Sequence, residues 1–185
     1  MKKINPKLKK DFDFADNLFK EKKYKEATNI YEEILKDNPN LISVKNNLAL
    51  CYEGLGEFNK AIELLKSFLD TKPEAVFFNN IGRIYFRIKD YNNSIIYLEN
   101  SLKINNNQIA IIELLTASYN HLNLSNKIVK LLDNSIKNFS KNRFLNGCFG
   151  KSLLKENRHA EGLYYINLGY GVVNLSENEK IKILV

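Results

Sequence analysis

KKYKEATNIYEEILKDNPN, residues 22–40, and EFNKAIELLKSFLDTKPE, residues 57–74, decide the fold. Ala27 and Ala61 lie 34 residues apart, and so do Pro39 and Pro73. A fixed period, with a small residue at one place and a proline closing the unit, marks helical hairpins stacked in a row. In the first stretch Tyr24, Ala27, Tyr31 and Ile34 recur every three or four residues, so they share one helical face. Asn38-Pro39 then ends the unit, because proline disfavours the helical conformation in the residue before it.

The same pattern extends in both directions. A first repeat covers 8–41, with Phe14, Ala15 and Leu18 on its first helix. A second covers 42–74, one residue short of the full period, with Leu48, Ala49 and Tyr52, then Ala61, Leu65 and Phe68. Gly54 and Gly56 are expected in its turn, where glycine reaches positive φ cheaply. A third covers 75–108, with Ile81, Gly82 and Tyr85 and with Ser94 at the small position. The fourth, 109–142, is degenerate: Ile128 stands where a small residue is usual, so this hairpin should splay or shift. The fifth, 143–176, carries Phe149, Gly150 and Leu153, with Gly162 at the small position. Its second helix also holds Gly169 and Gly171, and glycine's cost in a helix interior predicts an early end near Leu168. Ser176-Glu177-Asn178-Glu179 reads as a capping box before Ile181, Ile183 and Leu184. It predicts a short capping helix over 177–185.

On these residues the chain resembles the tetratricopeptide repeat (TPR) family, over about 8–174. The resemblance is strong in the first three repeats and weaker in the last two. It implies an all-α, right-handed α-solenoid of about five hairpins plus the C-terminal capping helix, forming a single array over 1–185. Ala27, Ala61, Gly82, Ser94, Gly150 and Gly162 are the expected packing positions between helices.

Composition limits the function. The chain has 185 residues, 44% hydrophobic and 26% charged, with net charge +7. A basic balance suits nucleic acid or an anionic surface. Here the lysines are mixed with Glu and Asp, as in EKKYKEATNIYEEILK, which describes a solvated face more than a phosphate-tracking stripe. The abundance of Lys, Asn and Ile also fits an AT-rich genome. Cys51 and Cys148 are widely separated, fall in predicted helices and read as small core residues. The N-terminal stretch is basic without an apolar run, and no stretch is long enough to span a bilayer, so a cytoplasmic protein is expected. His121 and His159 are the only histidines and sit in different repeats. No metal spacing, phosphate loop or nucleophile motif is present, so neither enzyme activity nor a cofactor is expected.

The resemblance implies that the first helices line a concave groove. Carried onto this sequence, the groove positions include Phe12 and Phe19, Asn46 and Glu53, Asn79, Arg83, Phe86 and Arg87, Asn120, and Lys151 and Lys155. Arg83 and Arg87 are four apart and share a face, as do Lys151 and Lys155. Arginine can hold a carboxylate with two parallel hydrogen bonds. Asparagine offers both donor and acceptor to a peptide backbone. The expected function is therefore a non-enzymatic scaffold that holds a protein or peptide segment, with acidic character favoured by the basic pairs. Both arginines are expected to be exposed, so Arg83→Glu with Arg87→Glu should weaken binding without loss of helix. Relatives in the family clamp chaperone C-terminal carboxylates at positions that are Phe12, Asp16, Asn47, Val76 and Asn80 here. Only Asn47 agrees, so a clamp of that type is not expected. Two other readings stay open: a regulatory or targeting module of a longer, enzyme-containing protein, and a basic nucleic-acid-associated repeat protein. Partner identity and oligomeric state are not read from the sequence.

Overall fold

The computed structural model describes residues 6–69, 73–106, 108–133 and 135–171. Among them are ten α-helices and no strand. In chain order they are α1 Pro6–Lys20, α2 Tyr24–Asp37, α3 Ile42–Gly54, α4 Phe58–Leu69, α5 Ala75–Arg87, α6 Tyr91–Ile104, α7 Ile109–His121, α8 Ser125–Leu132, α9 Arg143–Lys155 and α10 His159–Tyr170. A short 3₁₀ turn, Ile136–Phe139, follows α8. The chain is thus an α-solenoid of helical hairpins. The capping helix expected over 177–185 lies outside the described residues.

Each hairpin turns in the same way. One residue per hairpin adopts left-handed backbone: Lys22, Gly56, Lys89, Asn123 and Asn157, at spacings of 34, 33, 34 and 34. The next residue's N–H reaches back five residues, as in Lys23 to the Leu18 carbonyl and Asp90 to the Tyr85 carbonyl, both at 2.9 Å. This is the Schellman arrangement, which satisfies carbonyls that a helix end would leave bare. The shortened spacing falls between the second and third hairpins, where the sequence is one residue short. Gly56 takes positive φ as expected, but Gly54 does not. Gly54 is the last residue of α3, and a Cβ there would lie 2.6 Å from the Tyr24 ring. It is glycine because an aromatic ring packs on it.

Core formation follows the stacking. Three apolar clusters run along the chain: one centred on Ala15, Ala27, Tyr31 and Leu48, a second on Ala61, Leu65, Phe77 and Ile81, and a third from Leu98 to Leu153. Each spans neighbouring hairpins, because no hairpin can bury its apolar face alone. Cys51 and Cys148 are free thiols inside helices and are buried. Burial pushes the Cys51 thiol up to about 11, although a hydrogen bond with Thr28 opposes it. Burial also raises Cys148, so both thiols stay protonated and unreactive at neutral pH.

The small positions face each other across each hairpin. Ala15 and Ala27 are fully buried in the first, and Ala49 and Ala61 in the second. In the third, the Ser94 hydroxyl donates to the Gly82 carbonyl at 2.9 Å. In the fifth, a Cβ on Gly150 would lie 2.6 Å from the Ile166 nitrogen and 2.7 Å from the Gly162 carbonyl oxygen. The fourth hairpin has Thr116 and Ile128 at these places, both buried. Its helix α8 packs more extensively on α9 than on its own partner α7. It ends after 8 residues, where α2, α4, α6 and α10 run for 14, 12, 14 and 12. The expected splay is present.

One sequence expectation fails at α10. This helix continues past Leu168 to Tyr170 and stops at Gly171, whose φ is 68°. Gly169 does not break it, because that glycine is a contact point: a Cβ there would lie 2.5 Å from the Gly147 nitrogen. Close backbone packing offsets the helix-interior cost of glycine.

Candidate peptide-binding groove

The first helices form one side of the stack. α1 touches α3, α3 touches α5, α5 touches α7 and α7 touches α9, with no comparable contact between successive second helices. Neighbours crowd together on the inner side of a curved stack, so that side belongs to the first helices.

At its centre lies a charge cluster built from α3 and α5. Glu53, on the last turn of α3, has only 3% of its side chain exposed. Arg83 grips it with both terminal nitrogens: Nη1 donates to Oε1 at 3.0 Å and Nη2 pairs with Oε2 at 2.8 Å. Arg87, one turn further along α5, donates Nη1 to Oε1 at 2.8 Å. Two cations therefore share one buried anion, and the cluster keeps one net positive charge. The arginine side chains remain 42% and 49% exposed. Arg87 also lies over the Phe58 ring, 5.2 Å from its centre.

Asparagines continue the network. Asn80 donates to Asn46 Oδ1 at 2.9 Å and accepts from Arg83 at 3.3 Å. Asn79 donates to Gln108 at 2.7 Å, while its own Oδ1 is buried without a partner among the described residues. The hydrogen bonds Asn46–Asn80 and Glu53–Arg87 each connect residues 34 apart, one place beyond the 33-residue step between the second and third hairpins.

The other groove positions are spread along the array. Phe12 leans on Tyr31 at 6.0 Å between ring centres, and Phe19 on Tyr24 at 5.6 Å. Phe86 meets Tyr91 and His121 edge-on, and those two rings stack at 4.3 Å. All three phenylalanines are half-buried against their own chain. Asn120 is exposed at the end of α7. Lys151 and Lys155 are exposed on α9, with Lys151 4.7 Å above the Tyr170 ring and far along the stack from the arginines. At the other end a cavity of about 230 Å³ opens between α1 and α3, lined by Leu8, Phe12, Leu41 and Val44 with Lys9 and Ser43.

The structure changes one expectation. Arg83 and Arg87 are not free cations awaiting a ligand, because Glu53 already holds both. Reversing both charges would surround a buried carboxylate with two more, so that double variant tests folding as much as binding. Of the chaperone-clamp positions, Asp16 pairs with Lys20 at 2.6 Å, Asn47 donates to the Tyr31 hydroxyl at 3.3 Å, and Asn80 is engaged as above. Among the described residues no group of three or more His, Cys, Asp or Glu could hold a metal ion. No described helix is long and apolar enough to cross a membrane.

Comparison with known proteins follows the repeat pattern. Residues 2–113 match the model of the family described as Intraflagellar transport protein 56. Over 96 residues the chain is 37% identical to Hsp70-Hsp90 organizing protein 3 of Arabidopsis thaliana, covering 48% of this chain and 16% of that protein. It is 34% identical over 58 residues to the Intraflagellar transport protein 56 homolog of Caenorhabditis elegans, covering 31% of this chain and 10% of that one. The chain spans between about 10% and 20% of the length of the curated relatives it matches. Among solved structures it resembles the MamA protein, with TM-score 0.75, 19% identity and coverage of 89% of this chain and 90% of that one. It also resembles YrrB, described as a TPR protein with an unusual peptide-binding site, with TM-score 0.72, 10% identity and coverage of 87% and 84%. Those structural likenesses are likenesses of fold.

Proposed function

Because this chain belongs to the tetratricopeptide-repeat proteins and, through residues 2–113, to the family described as Intraflagellar transport protein 56, we propose that it is a non-enzymatic, cytoplasmic interaction scaffold. Its inner face receives a segment of a partner protein. The repeats divide at 8–41, 42–74, 75–108, 109–142 and 143–176, and the first helices of all five supply the groove. The observation that carries this reading is the Glu53–Arg83–Arg87 cluster, with half-exposed guanidinium groups held in place by a buried acid. Arginines fixed by their own carboxylate have already lost much of their rotamer freedom. A ligand carboxylate meeting them has less ordering to impose. The cluster's single net charge favours one acidic side chain or a C-terminal carboxylate at this point. In this reading Asn46 and Asn120 contact the ligand backbone, with Phe12, Phe19 and Phe86 as apolar flanks and Lys151 and Lys155 at the far end, while Asn79, whose amide holds Gln108 and whose Oδ1 is buried, supports the groove wall. The engaged state of Asp16, Asn47 and Asn80 supports a ligand other than a chaperone tail.

The test follows from the cluster. The triple variant Glu53→Gln/Arg83→Gln/Arg87→Gln removes all three charges together, so the fold keeps its polar contacts without an unpaired ion. Affinity capture with mass spectrometry should recover a partner with wild type and lose it with the triple variant. Equal recovery by both would sink the inner-face assignment. Glu53→Gln alone leaves two uncompensated arginines and should tighten binding of an acidic segment several-fold. A second reading, a targeting module of a longer protein, is supported by the small share of its relatives that the chain spans. Immunoblotting of the endogenous protein at its full mass decides that point.

A further inference from the structure

The splayed fourth hairpin creates a second surface, independent of the inner-face reading. Because α8 stops after 8 residues, the C-terminal turns of α6 lose the cover that a full second helix would give. A cavity of about 460 Å³ opens between α6 and α8, floored by Leu102, Leu115 and Leu131. A second, of about 530 Å³, continues from the shared residues Leu102 and Leu131 towards Ile112 and Phe139. The joined cleft runs from Glu99 on α6 to Asn106, two residues beyond the end of that helix, on the order of 10 Å at about 1.5 Å per residue.

Its rim is basic. Lys103 projects from α6 and Lys127 and Lys130 from α8. Glu99 is the single acid on this rim, and it is spoken for: it accepts from the Tyr119 hydroxyl at 2.5 Å and lies 3.5 Å from Lys127. Lys103 donates to the Asn100 side chain at 2.9 Å and has no carboxylate partner among the described residues. Lys130 has none either. An apolar floor under unpaired cations fits apolar side chains flanked by carboxylates. The cleft is recessed between two helices and floored by leucines. Its leucine floor gives a phosphate backbone nothing to bond.

The geometry points to a docking site for a short, acidic amphipathic helix of a partner protein, laid in the place that the missing end of α8 vacates. Such a helix would set apolar residues at i, i+3 or i+4 and i+7 on the leucines, with Asp or Glu facing Lys103, Lys127 and Lys130. The complementary charge would also speed association at low salt.

A random library of twelve-residue peptides displayed on phage and selected on the full chain tests this. The expected result is enrichment of sequences with helically spaced Leu, Ile or Phe among acids. Binding of a synthetic peptide of the enriched sequence should fall at least tenfold in Lys127→Glu/Lys130→Glu. It should persist in the Glu53→Gln/Arg83→Gln/Arg87→Gln variant, which separates this site from the inner face. Both lysines are exposed, and unchanged circular dichroism checks that the variant folds. Absence of acidic amphipathic sequences, or binding indifferent to the lysine variant, overturns the proposal. So does a lysine variant that loses only binding to phosphatidylserine vesicles or poly(U), which would assign the rim to a membrane or a nucleic acid.

Discussion

The fifth hairpin and the fourth are neighbours built on one turn motif, yet they close to opposite degrees. In α9–α10 the facing residues are Gly150 and Gly162, and the two backbones come into direct contact. In α7–α8 the same places hold Thr116 and Ile128, and α8 packs more extensively on α9 than on its own partner. Between these limits stand Ala15/Ala27, Ala49/Ala61 and Gly82/Ser94, in hairpins of full length. The comparison teaches that one pair of positions per repeat sets the hairpin's opening. Side-chain volume at that pair decides whether a unit is sealed or offers a cleft.

Substitutions at equivalent positions should therefore behave unlike one another. The largest effect is expected for Gly150→Val. The new Cβ meets backbone atoms that cannot turn aside, so the cost should reach the upper end of overpacking, about 3 kcal/mol in urea denaturation. A loss under 1 kcal/mol would mean the last hairpin can open as the fourth does. Ala61→Leu comes next, at about 1–3 kcal/mol, read as a lowered Tm. An unchanged melting temperature would show that Ala61 is not at the tight contact. Thr116→Val should act in the opposite direction. Thr116 is fully buried and its hydroxyl finds no partner among the described residues, so an isosteric valine should stabilise by about 1 kcal/mol. The smallest effect belongs to the shared turn. Lys89 sits at φ 63° where the second hairpin has Gly56, and Lys89→Gly should gain about 0.5 kcal/mol by removing left-handed strain. A loss there would mean the lysine side chain contributes something the turn geometry does not reveal.

Much of the fold could be read from the chain because it rests on periodicity. The 34-residue spacing of Ala27 and Ala61 located the hairpins, and the bulk of Ile128 pointed to the irregular one. Where the reading failed, local propensity met tertiary contact. Glycine at 169 argued for a helix end, but the approach of α9 needs that glycine within the helix. Gly54 read as a turn residue, yet it serves as the seat for the Tyr24 ring. The groove was harder to read. The family resemblance supplied its arginines, but not the fact that Glu53 binds them. A signal was available: Glu53 and Arg87, like Asn46 and Asn80, are one hairpin step plus one residue apart, so an acid and a base near that spacing should be tested as partners before either is called free. Lys22 and Lys89 in left-handed turns left no signal, since lysine does not advertise positive φ.

The three separate apolar clusters carry a consequence for how the chain acquires its shape. Each is assembled from helices consecutive in sequence, so no contact waits for a distant part of the chain. Loops to be closed are short, and short loops close quickly. A nascent chain can consolidate the Tyr31 cluster before Phe77 has left the ribosome, and the Phe77 cluster before Leu153 has. Assembly can therefore proceed hairpin by hairpin in chain order as a growing column, each hairpin finding a finished surface to land on.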